Sequence, residues 1–135
     1  MNTFKAYILA SDKVFYEGDL ESLVVPTVSG LYGVWANHRP MISAVVPGII
    51  TYRAPFENDK IAAVSGGLVK IENNEVLVLV DSIELPEEID INRAKRARDE
   101  AKEALLQKKS IEEYRQAKAN LARAINRLKV KRVAK

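Results

Sequence analysis

The chain has no cysteine, a single histidine, a single tryptophan and no glycine after Gly67. Without cysteine there can be no disulfide and no thiolate metal site, which fits a reducing compartment. With His38 as the one imidazole, a histidine-rich metal centre is also excluded. No segment reaches the roughly 18 uninterrupted apolar residues that a membrane-spanning helix needs. Met1–Ala10 lacks a basic start followed by an apolar run, so no export signal is expected. There is no phosphate-cradling glycine loop of the Walker kind. Catalytic groups are equally sparse. "AVSGG" at Ala63–Gly67 is close to a serine-nucleophile elbow, but Ala63 stands where a glycine is required, and His38 precedes Ser65 instead of following it. Gly66 and Gly67 read more simply as a bulge or turn between strands. Glu87, Glu88 and Asp90 read as acids crowding a helix start, where the dipole favours negative charge, and not as an acid/base pair. No enzyme activity is expected.

What is present divides the 135 residues in two. Residues 1–85 carry six basic and ten acidic groups, a net of −4; residues 86–135 carry fifteen and eight, a net of +7. The first part shows short apolar runs rich in Val and Ile between turn signals, among them "YILA", "LVVP", "GIITYR", "KIAAVSGG", "LVKI" and "EVLVLV". That spacing predicts an antiparallel β-sandwich or barrel. Asn73-Asn74 predicts a tight hairpin, because asparagine tolerates positive φ; a strict two-residue loop then sets Glu72 opposite Glu75.

Residues 86–135 have helical periodicity. Ile91, Ala94, Ala97, Ala101, Ala104 and Leu105 recur at three- and four-residue steps, as do Tyr114, Ala117, Leu121, Ala124 and Leu128. Asp90 is the expected N-cap of the first helix, and Ser110 with Glu113 forms a capping box for the second. The short connection between them predicts an antiparallel hairpin. Its seam is mostly alanine. Against leucine this forfeits roughly 2 kcal/mol of burial per position, so the helices meet closely but weakly. A weak seam can open when another surface offers more; a permanently closed hairpin is the alternative. The basic surplus, including Arg123 and Arg127 on one helix face, calls for an acidic partner or phosphate unless it is simply solvated. Nucleic acid is disfavoured, because the body is acidic and no stacking aromatics interleave the cations.

The order of several motifs resembles the epsilon subunit of bacterial F-type ATP synthase. "GLYGVWANHRP" at Gly30–Pro40 is similar to that family's glycine-x-x-glycine segment ending in His-x-Pro. Pro47-Gly48 and "VSGG" at Val64–Gly67 follow. "EEIDINRA" contains an Ile-Asp-x-x-Arg-Ala motif as Ile89, Asp90, Arg93 and Ala94, and "ARAINRLKV" closes the second helix. The resemblance implies a gamma- and c-ring-binding sandwich over 1–85 and a two-helix regulatory domain over 86–135. It implies a non-catalytic central-stalk subunit, peripheral to the cytoplasmic face of a bacterial membrane. That subunit couples ion flow to rotation, and its helices extend among the alpha and beta subunits to inhibit ATP hydrolysis. Contacts to gamma and the c-ring are implied for Leu31, Tyr32, Trp35 and His38, and contacts to beta for Arg115, Lys118, Arg123, Arg127 and Lys129. Leu31 stands where many relatives carry an acidic residue, which favours an apolar contact there; a core role is the alternative for Trp35. In some relatives the compact hairpin binds regulatory ATP. The corresponding residues would be Ile89, Asp90, Arg93, Ala94, Arg123 and Arg127, but Glu100 and Gln116 occupy positions where strong binders supply arginine. The competing expectation is a free-standing β-sandwich binding module with a basic helical tail for nucleic acid.

Overall fold

The computed structural model describes residues 2–107 and 110–134; Met1, Lys108, Lys109 and Lys135 lie outside them. The chain separates into two compact units, Met1–Glu84 and Leu85–Lys135.

The first unit contains ten strands: β1 (Phe4–Ala10), β2 (Lys13–Leu20), β3 (Ser22–Thr27), β4 (Gly30–Val34), β5 (Met41–Val45), β6 (Gly48–Arg53), β7 (Lys60–Val64), β8 (Gly67–Glu72), β9 (Glu75–Val80) and β10 (Ile83–Glu84). Their order is β10-β7-β6-β3-β5-β8-β9-β1-β2, with β4 pairing β3 off this path. The two halves of the path join through one pair, Thr27 opposite Val45, so the sheet folds over there into two layers. The ladders are antiparallel except β1 with β9, which is parallel. Alternate residues of β1, β3, β6, β8 and β9 enter one core, including Phe4, Ile8, Leu23, Val25, Ile50, Val69, Ile71 and Val78. This period-two burial is what the apolar runs encode.

Four strands escaped the pattern of apolar runs, for physical reasons. β2 (KVFYEGDL) buries only its last residue. It also bulges at Phe15, because Ile8 pairs with Tyr16 and Leu9 with Val14. The bulge turns Phe15 and Tyr16 towards Tyr52, with ring centroids 5.7 and 5.9 Å apart. The Tyr16 hydroxyl donates to the Asp19 carbonyl oxygen at 2.7 Å. Burial, then the charges of Glu57 and Asp19, push the Tyr16 phenol up from its ordinary pKa. β4 and β5 each bury a single residue, Val34 and Val45, and β10 is two residues long.

The β8–β9 turn is a strict two-residue loop: Asn73 and Asn74 have φ of 52° and 59°, and Glu72 faces Glu75. The like charges are tolerated because both side chains are exposed and Lys70 Nζ lies 3.2 Å from Glu72 Oε2.

In the second unit a 3-10 turn (Pro86–Glu88) leads into α1 (Ile91–Leu106), followed by α2 (Ile111–Val133). Asp90 Oδ1 accepts the Arg93 N–H at 3.2 Å, and Ser110 Oγ accepts the Glu113 N–H at 3.2 Å, so both expected N-caps form. Ala94 and Ala101 of α1 and Ala117 and Ala124 of α2 are buried, with Asn126 and Val130. Tyr114, placed in the seam by periodicity, is 49% exposed. The seam is therefore alanine-based, and it begins one turn later in α2 than the pattern implied.

Candidate functional site

Two surfaces gather the residues singled out in the sequence. The first runs along β4 and the loop after it. The β3–β4 loop is held by Thr27, whose Oγ1 donates to the Gly30 carbonyl oxygen at 2.8 Å and accepts the Ser29 N–H at 3.3 Å. β4 sends Val34 into the core, while Leu31 points outward and is 73% exposed. Trp35 is 59% exposed, which rules out the core role considered for it. Its ring instead lies against Gly33, where a Cβ would sit 2.6 Å from the indole; only glycine lets the ring close down on the strand. His38 Nε2 hydrogen-bonds the Tyr32 hydroxyl at 2.8 Å, and its Nδ1–H donates to the Arg39 carbonyl oxygen at 2.7 Å. The two bonds orient the ring and tie the loop back to β4. Asn74 secures the same loop from the β8–β9 turn: Oδ1 accepts the Asn37 N–H at 2.6 Å, and Nδ2 donates to the Thr3 carbonyl oxygen at 3.0 Å. Sequence reading found the turn at Asn74 but not this clamp, which needs a long-range contact. Leu31, Tyr32, Trp35 and His38 are thus held on one rigid strand-and-loop element.

The second surface is the hairpin. A cleft of about 430 Å³ between α1 and α2 is lined by Ala97, Ala101, Ala104 and Ala117, with Glu100, Glu113, Gln116, Asn120, Arg123 and Arg127 above. Small seam residues leave this space open. Asn120 Oδ1 accepts from Gln116 at 3.1 Å and also from Arg123, which orients the arginine along the cleft. Arg123 and Arg127 are therefore together, as their spacing implies. The other four residues of the nucleotide motif lie elsewhere. Ile89 is buried, Asp90 is occupied as the helix cap, Arg93 is exposed and Ala94 is in the seam, all at the start of α1 and outside the cleft lining. Two carboxylates, Glu100 and Glu113, share the cleft with the two arginines.

The five cations proposed to face beta do not share one face. At about 100° per residue, Arg115, Lys118 and Lys129 fall on one exposed stripe, while Arg123 and Arg127 turn into the cleft. A second groove of about 460 Å³, not anticipated from sequence, is lined by the apolar Ile91, Ile125 and Leu128 and by the cations Lys95, Arg98, Lys129, Lys131 and Arg132. No carboxylate is among these lining residues. The helical spacing of Ile91, Lys95 and Arg98 carried the signal on α1; the contribution of α2 depends on how the two helices pair.

Comparison with known proteins decides between the two expectations. Residues 3–86 match the family model described as ATP synthase, Delta/Epsilon chain, beta-sandwich domain, and residues 87–132 match the long alpha-helix domain of the same chain. The chain belongs to the ATP synthase delta/epsilon family. It is 41% identical over 128 residues to the ATP synthase epsilon chain of Ruminiclostridium cellulolyticum, covering 95% of both chains. It is 37% identical over 130 residues to that of Caldicellulosiruptor bescii, covering 96% of this chain and 94% of the relative. Its fold is also that of a chain in the mitochondrial ATP synthase of Euglena gracilis, with a TM-score of 0.82 at 18% identity, covering 99% of this chain and 82% of the other. As an epsilon-type chain it is a non-catalytic ATP synthase subunit, and the free-standing nucleic-acid module is set aside. Among the described residues no helix is long and apolar enough to cross a membrane.

Proposed function

We propose that the chain is a rotor subunit of the synthase, with the sandwich (1–85) seated on the gamma subunit and the c-ring and the helices (86–135) acting as a mobile brake on ATP hydrolysis. The observation that carries this is a family match that runs from residue 3 to residue 132 through both units. The solved assembly containing the Euglena chain is described as OSCP/F1/c-ring, which supports the same partners for this chain. Leu31, Tyr32, Trp35 and His38 form the gamma and c-ring contact, where Leu31 and Trp35 supply exposed apolar area on a rigid element. Such anchors carry binding energy when a partner excludes water from them. Localisation is peripheral, on the cytoplasmic face of a bacterial membrane, through the complex. Co-expression with gamma tests the assignment: stoichiometric recovery that survives high salt is expected. Recovery of the chain free of gamma would defeat it.

The brake works by differential affinity. In the compact form the alanine seam holds α1 to α2; in the extended form an acidic segment of beta takes the cations instead. Arg115, Lys118 and Lys129 suit that contact as they stand. Arg123 and Arg127 become available once the cleft opens.

Regulatory ATP would favour the compact form through Arg123 and Arg127, with Ile89, Asp90, Arg93 and Ala94 at the adenine end. The two carboxylates in the cleft oppose its phosphates, so wild-type affinity should be no better than millimolar. Exchanging Glu100→Arg replaces a repulsive charge with an attractive one. An opposite pair at 4 Å gains about 1 kcal/mol even in bulk water, so ATP affinity should rise about tenfold or more in calorimetry of the whole chain. An unchanged or absent heat would remove the nucleotide site from the hypothesis.

A further inference from the structure

The partner contact proposed above has a backbone component that its side chains do not reveal. β4 pairs with β3 alone among the described strands, leaving its other edge open. Pro26 fixes which groups face that edge. The Pro26 carbonyl oxygen accepts the Val46 N–H at 3.0 Å, so the polar groups of Pro26 are directed towards β5 and away from β4. Its cross-strand neighbour is Leu31. A residue opposite such a position belongs to a non-hydrogen-bonded pair, and its own N–H and C=O point away from the shared ladder. The alternation places the N–H and C=O of Gly33 the same way, while Tyr32 bonds to Val25. Four backbone groups, two donors and two acceptors, therefore line the outer edge at Leu31 and Gly33.

Sheet edges of this kind are normally blunted by charge, bulges or extreme shortness. The other two ends of this sheet follow that rule. β10 has two residues, and β2 carries Lys13, Glu17 and Asp19 together with its bulge at Phe15. β4, Gly30–Val34, contains neither charge nor proline. It is bordered by Val28 at 68% exposure, Leu31 at 73% and the Trp35 ring.

We propose that β4 is a strand-addition site: an extended segment of the gamma subunit pairs with Leu31 and Gly33 by main-chain hydrogen bonds. The segment is uncharged over about three residues, and alternate apolar side chains rest on Leu31 and on the Trp35–Gly33 platform. Main-chain pairing supplies affinity and the flanking apolar side chains supply selectivity, as in other edge-binding complexes. The inference rests on gamma being the partner.

Residue-resolved amide exchange on the full chain, free and bound to the gamma subunit, tests it. The amides of Leu31 and Gly33 are expected to exchange at about a tenth of their free rate or slower in the complex, while that of Tyr32, already bonded to β3, changes little. Leu31→Pro, which deletes one edge donor but no bond to β3, should weaken the complex about tenfold beyond Leu31→Ala; exchange at Val25 and Tyr32 reports whether the hairpin is intact. A complex that forms without alternating protection overturns strand addition and leaves the gamma reading standing. Failure to form a complex removes both. Protection of Leu31 and Gly33 that grows with the concentration of the chain alone assigns the edge to a second copy and overturns the proposal.

Discussion

Gly67→Ala should cost the sandwich about 3 kcal/mol or more, whereas Gly66→Ala, one residue earlier, should stay within about 1 kcal/mol. A Cβ on Gly67 would lie 1.9 Å from the Leu79 carbonyl oxygen and 2.7 Å from the Val80 Cα. Both are backbone atoms of β9, which is locked between β8 and β1, so neither can step aside without breaking a ladder. A Cβ on Gly66 would meet only the Val45 carbonyl oxygen, at 3.5 Å, an ordinary contact. Urea denaturation followed by the fluorescence of Trp35 should show a midpoint about 1–2 M lower for Gly67→Ala. Equal midpoints for the two variants would mean that β8 and β9 can separate locally, and that the close approach at Gly67 is not what the sheet requires.

The "VSGG" segment illustrates how far sequence reading reaches. Two adjacent glycines announce a turn or bulge, but not which of them is indispensable; that depends on β9, which approaches Gly67 from twelve residues further along the chain. The same division holds elsewhere. The β8–β9 hairpin, the helix caps at Asp90 and Ser110 and the alanine seam were legible because each is set by residues within a few positions of one another. β2 and β4 were not legible from apolar runs, because an edge strand buries few side chains and leaves a weak period-two signal. At the candidate site, Arg123 and Arg127 share a face as helical spacing dictates, yet Glu113 in their cleft and the second groove across Ile91 and Ile125 arise only from pairing the helices. Pro26 is the most economical case. Its missing N–H is plain in the sequence, but the consequence, an open edge at Leu31, requires knowing which strand lies on each side.

Removing the chain after Glu88 should raise ATP hydrolysis by the assembled synthase several-fold while leaving recovery with gamma unchanged. The cut falls before Asp90, so it removes both helices with their caps and spares every strand. The expectation follows from the energetics of the hairpin. Its buried seam positions include four alanines, each forfeiting roughly 2 kcal/mol against leucine, or about 8 kcal/mol in all. Shifting a two-state equilibrium from 1:99 to 99:1 needs only about 5.5 kcal/mol of differential binding. A leucine seam would place the open form beyond the reach of a few ion pairs; an alanine seam does not. A locked hairpin separates the position of the helices from their mere presence. The chain has no cysteine, so the pair Ala101→Cys and Ala117→Cys, at buried seam positions on opposite helices, introduces the only thiols of the subunit. Oxidised, it should release hydrolysis as fully as truncation does, and reductant should restore the brake. If hydrolysis stayed suppressed with the disulfide closed, the extended helices would not be the inhibitor, and the second unit would act from its compact form.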